Sequence, residues 1–154
     1  MPTHIDEESM VRANAQFWEQ MLGMQMETVP SSEEFCVDAG HVHVSVAMKG
    51  EWNGRIEVRL AKELAWATTA AMLMQPVESV SEEDTLDATK EVVNMIAGIL
   101  KSALPQPLSM TVPESAFASD QLCARLHVGT SLTVAFRHPI GGLLVRVQED
   151  EAAQ

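Results

Sequence analysis

Positive charge is scarce in this chain. Lys and Arg number 10 against 22 Asp and Glu, giving a formal charge of −12. No basic stripe offsets the repulsion that a phosphate backbone or an anionic lipid surface would exert, so neither nucleic acid nor a membrane surface is expected as a partner. Long apolar runs are missing too. Residues 64–74 and 92–100 are too short to cross a bilayer and are broken by Thr68, Thr69 and Asn94. The first ten residues carry His4, Asp6, Glu7 and Glu8 where an export signal needs a basic and then an apolar region, so the chain is expected to stay in the cytoplasm.

Cysteine is nearly absent. Cys36 and Cys123 stand far apart, with no CxxC or Cys/His cluster, and read as reduced, partly buried thiols; the sequence leaves a disulfide between them open. Ser109 and Ser131 lack a Gly-x-Ser-x-Gly setting, and no Gly-rich phosphate loop occurs. His41 and His43 point to one face of an expected strand, but no Cys, Asp or third His stands nearby to complete a metal site. They read as solvent-facing residues of an edge strand, His138-Pro139 as turn chemistry, and His127 as the outer face of another strand.

What is present is a foldable body. Hydrophobic residues make up 46% and charged residues 21% of the chain, an ordinary globular balance, and 154 residues suffice for a single core. One domain is expected over residues 8–148, with acidic tails at 1–7 and 149–154. The 10 methionines read as core filling, and Trp18, Trp52 and Trp66 as core or turn anchors.

Val11, Asn14, Phe17, Trp18, Met21 and Leu22 recur at near-helical spacing and predict an amphipathic helix over 8–22. Val42, Val44, Val46 and Met48 alternate with polar or small residues, as do Ile56, Val58 and Leu60, so two strands should pair as a hairpin around 49–54. A second helix is expected from about Lys62 to just before Pro76, whose ring and missing N–H stop it. Ser81, followed by Glu82, Glu83 and Asp84, caps a third helix running to about Ala103, ahead of Pro105. Strands come next at 108–112, 122–128, 132–137 and 143–148. The order lacks the βα alternation of a parallel sheet. The fold class is therefore α+β: three helices, one N-terminal and two central, layered on a mainly antiparallel sheet of about six strands.

On the third helix, at about 100° per residue, Asp87, Glu91, Asn94 and Gly98 share one narrow stripe, opposite Val92, Ile96, Ile99 and Ala103. The apolar side must face the core, so Glu91 and Asn94 project outward. By spacing alone they are solvated decoration. However, the string from Asp87 to Gly98, with Asp, three residues, Glu, two residues, then Asn, resembles the signature helix of the CheC/CheX/FliY chemotaxis phosphatases. The resemblance runs from about Gly50, through the Gly50-Glu51-Trp52-Asn53-Gly54 turn, to Pro113. CheC and FliY members carry a second copy on the first helix; here Val11 stands where that copy needs Glu, three before Asn14, so the chain resembles single-site CheX.

The resemblance implies a phosphatase for the aspartyl phosphate of a CheY-like response regulator, in chemotaxis or a related two-component pathway, and a homodimer. Asn94 would orient the attacking water and Glu91 would contact the regulator's lysine. Asp87 would support the helix, Gly98 would permit close approach, and Pro113 would match the family's proline, although that residue usually stands twenty or more positions after the Asn. The chain itself is expected to bind no cofactor; Mg²⁺ would come with the phosphorylated regulator. The alternative is a non-catalytic module that binds a regulator or a flagellar switch protein.

Overall fold

The computed structural model describes residues 5–30, 33–125 and 131–150. The first helix, α1 (Glu7–Ala15), is capped by Asp6, whose carboxylate accepts the Ser9 N–H at 2.8 Å. It continues into a π-helical turn, Gln16–Met21. A π-turn holds more residues than an α-turn, which rotates the side chains beyond it around the axis. Phe17 and Trp18 stay buried, whereas Met21, expected on the apolar stripe, is 55% exposed. Two short strands come next, β1 (Glu27–Thr28) and β2 (Glu34–Val37).

The predicted hairpin forms from β3 (Val42–Gly50) and β4 (Gly54–Leu60), with Val42, Val44, Val46, Met48, Ile56, Val58 and Leu60 buried. Its bend requires glycine. Gly50 adopts φ +142°, and a Cβ on Gly54 would overlap the Trp52 ring and the Gln148 carbonyl oxygen. Helix α2 (Lys62–Leu73) ends on Met74 in the left-handed region, two residues before Pro76. Helix α3 (Glu82–Lys101) starts in a capping box: Ser81 Oγ accepts the Asp84 N–H, and Asp84 accepts the Ser81 N–H. The chain then forms β5 (Leu108–Met110), β6 (Glu114–Phe117), β7 (Leu122–Arg125), β8 (Ser131–His138) and β9 (Gly141–Glu149).

Seven strands make one antiparallel sheet in the order β1-β8-β9-β4-β3-β5, with β6 also paired to β3. The three helices cover one face and bury the main core, which includes Phe17, Trp18, Ile56, Leu64, Val92, Ile96 and Val145. The α+β class stands, with more strands than the expected six. The short strands β1, β2 and β6 are too brief to show a period of two, and none was anticipated. The expected strand at 122–128 is observed as β7; residues 126–128, and His127 with them, lie outside the described residues.

Strands β2 and β7 form a separate antiparallel pair. On its inner side Phe35, Val37 and Ala124 pack with Val29, Ala135 and Leu144 in a small second cluster. Ala135 and Leu144 alternate along β8 and β9 with main-core Val134, Phe136, Leu143 and Val145, so this pair lies on the sheet face opposite the helices. Register places Cys36 directly across from Cys123, and the two form a disulfide. The free thiols expected from the sequence are thus corrected. Residues 87 positions apart became neighbours through a pairing that no local pattern announced.

A second correction concerns His41 and His43. Strand β3 is interior, paired to β4 on one side and to β5 and β6 on the other. His41 is 1% exposed; its Nδ1 pairs with the Asp38 carbonyl at 2.8 Å and its Nε2 lies 2.9 Å from Arg59. His43 Nε2 meets Glu57 at 2.6 Å.

Candidate functional site

Helix α3 turns Thr85, Ala88, Thr89, Val92, Val93, Ile96, Ala97 and Leu100 into the core. The remaining side carries the predicted stripe: Asp87, Glu91 and Gly98 are exposed, and Asn94 is half-buried. A Cβ added at Gly98 would meet nothing within 4 Å, so this turn of the helix is open to approach. The helix is held firmly beneath the stripe. Beside the capping box, Thr85 Oγ1 donates to the Ser81 carbonyl and Thr89 Oγ1 to the Thr85 carbonyl.

The side chains of Glu91 and Asn94 make no hydrogen bond or ion pair with any described residue, although Asn94 is partly enclosed by its own helix and neighbours. An amide held on a rigid helix with donor and acceptor both free can orient a water or a polar group, and it does not titrate. The carboxylate one turn before it can accept from an ammonium.

Pro113 lies on the connection between β5 and β6 and is half-buried; Val112, beside it, is 84% exposed. Two residues on, Ser115 Oγ donates to the Leu86 carbonyl at 2.9 Å, fastening β6 to the first half of α3. Sequence reading missed this tie. A serine in a four-residue strand carries no signal until the strand is placed.

Asn14 is a different case. It is fully buried, its Nδ2 donates to the Met10 carbonyl at 2.8 Å, and its Oδ1 accepts the Trp18 indole N–H at 3.3 Å. Both ends of the amide are consumed inside the core, so the first helix presents no second outward Asn.

Among the described residues, Glu34, Cys36 and Cys123 are the His/Cys/Asp/Glu group close enough to share a metal ion. They belong to the β2–β7 pair, and the two sulfurs are bonded to each other. No helix among the described residues is long and apolar enough to cross a membrane.

The family model of the chemotaxis phosphatase CheX matches residues 42–137, from the start of β3 to the last but one residue of β8. The chain belongs to the CheX family. Solved CheX-type structures share its fold. CheX from Vibrio vulnificus superposes with a TM-score of 0.74 at 15% identity, over 97% of this chain and 100% of that one. CheX from Desulfovibrio desulfuricans gives 0.66 at 24% identity, over 93% and 97%. The CheX-CheY-BeF3-Mg²⁺ complex from Borrelia burgdorferi gives 0.68 at 20% identity, over 94% and 97%. No curated protein matches the sequence significantly.

Proposed function

We propose that this CheX-family chain dephosphorylates the aspartyl phosphate of a CheY-like response regulator, using Asn94 and Glu91. The observation that carries the reading is the outward pair on α3: a carboxylate and an amide one turn apart, with no partner among the described residues, on a helix anchored at its start and packed along its full inner face. The CheX relative from Borrelia burgdorferi seen in complex with CheY and Mg²⁺ supports the choice of partner.

In this mechanism α3 docks over the regulator's phosphoryl group. Glu91 accepts from the regulator's lysine and sets the depth and rotation of the helix. Asn94 then holds a water on the far side of the phosphorus, in line with the bond to the aspartate, so that attack needs no further ordering. Because the amide does not exchange protons, it positions the water without acting as a base. Mg²⁺ is held by the regulator and neutralises charge on the phosphoryl oxygens. Asp87, Gly98 and Pro113 frame the contact: Gly98 leaves room for the partner, and Pro113 with Val112 offers a stiff, partly apolar edge.

The test is to add the chain to a phosphorylated CheY-like regulator with Mg²⁺ and follow loss of the aspartyl phosphate. Acceleration well above the regulator's own hydrolysis supports the phosphatase. Binding without acceleration favours the second reading, a module that docks the regulator through the same stripe without turnover.

A further inference from the structure

The Cys36–Cys123 disulfide ties β2 to β7, and the pair rests on the body through a small apolar cluster and Arg137, which meets Glu33 at 3.2 Å and lies over the Phe35 ring. Its inner side supplies three small contacts to the second cluster: Phe35, seated over Gly142, with Val37 and Ala124. Its ladder has four residue pairs. Cys36 and Cys123 lie on the opposite, exposed side, and Cys36 also lines a cleft of about 360 Å³ shared with Asp38, Glu63, Arg137 and His138. The sulfurs are therefore open to an attacking thiolate, and what they join directly is a ladder of only four residue pairs.

We propose that Cys36–Cys123 is a redox-controlled clasp: a dithiol reductant opens it, and β2 and β7, no longer tied to each other, then loosen separately over Val29, Ala135 and Leu144. The chemistry balances. A reductant thiolate attacks one sulfur and expels the other cysteine as a thiolate; the reductant's second thiol resolves the mixed disulfide. The reductant leaves as its cyclic disulfide, and its two protons end on Cys36 and Cys123. In the cytoplasm expected from the sequence, disulfides that form are transient or sensing ones. The main core contains neither cysteine, so opening leaves the helix-covered side intact.

These are the chain's only 2 cysteines, which makes the readout unambiguous. The full chain is first treated with oxidised glutathione, then half of it with dithiothreitol, and amide hydrogen exchange is followed in both. Iodoacetamide labelling after denaturation should add no group before reduction and one per cysteine after it. Reduction should speed exchange in β2 and β7 by about tenfold or more, with β3, β4 and β9 unchanged. The Cys36→Ser/Cys123→Ser variant, or Cys36→Ala if that fails to fold, should exchange like the reduced protein and ignore dithiothreitol. Full labelling of the glutathione-treated chain, exchange in β2 and β7 that changes less than twofold on reduction, or a cysteine variant that still responds to dithiothreitol would each overturn the clasp.

Discussion

Asn14 accepts the Trp18 indole N–H inside the core, whereas Asn94 on α3 stands at the surface with its amide unpartnered among the described residues. One chain thus places the same residue type in opposite settings: a sealed link that fixes the first helix, and an outward amide with no partner among the described residues. Replacing Asn14 by Ala would strand the buried Trp18 N–H and remove the side-chain donor to the Met10 carbonyl. The expected loss is about 1–3 kcal/mol in a denaturant titration. Dephosphorylation per folded molecule should be unchanged.

Ser81→Ala removes one half of the capping box that starts α3. Denaturation should register a loss of about 1 kcal/mol. The rest of the helix is fixed by its packed face, so the site should keep most of its activity.

The outer face of the sheet carries a buried charge network. Glu57, 7% exposed, meets His43 at 2.6 Å, Arg146 at 3.1 Å and Arg59 at 3.7 Å, and Arg146 also donates to Thr133. Burial alone would raise the Glu57 pKa; the His43 hydrogen bond and the charges of Arg146 and Arg59 outweigh it, and the net shift is downward. Glu57→Ala leaves two half-buried guanidinium groups facing each other and should cost about 3 kcal/mol.

The pH dependence arises on the same face. Glu57 is more acidic folded than unfolded, so its contribution is complete above its ordinary value of 4.5 and is lost as pH falls through the folded value. Burial lowers the pKa of His41, outweighing its bond to the Asp38 carbonyl, so the unfolded chain takes up that proton first and stability declines as pH drops below 6.5. Thermal melts from pH 8 to pH 2 should show an early decline that Glu57→Gln retains and a later, acid one, below pH 4.5, that it loses.

Gly98 has open space around its Cα on an exposed turn of helix. Gly98→Gln should therefore stabilise the free protein by roughly 0.5–1 kcal/mol through helix propensity. If the regulator docks here, the longer side chain should also weaken regulator binding in a titration. Stabilisation without weaker binding would place the interface elsewhere.

The parts legible in the sequence were those whose signal is local. Alternation wrote out β3 and β4, Ser81 and Pro105 bracketed α3, and the outward position of Glu91 and Asn94 came from Val92 and Ile96 facing the core. The features that escaped depend on distant pairing. Cys36 meets Cys123 only because β2 pairs with β7, and His41 is buried beside Asp38 and the Arg59 side chain of β4, contacts that no local pattern announces. Met21 left its expected stripe because the helix widens into a π-turn after Ala15, a change of pitch that periodicity assumes away.

The central claim is that Asn94 and Glu91 together perform the dephosphorylation. The most direct measurement compares wild type, Asn94→Ala, Glu91→Ala and the buried control Asn14→Ala in hydrolysis of a phosphorylated CheY-like regulator with Mg²⁺, each checked for folding by its melt. Loss of one positioned polar group costs roughly 10²- to 10³-fold in rate. The account predicts that Asn94→Ala falls by that much with an unchanged melt, that Glu91→Ala falls mainly through weaker regulator binding, and that Asn14→Ala keeps its activity at a lower melting temperature. An Asn94→Ala protein that folds and hydrolyses at the wild-type rate would contradict it.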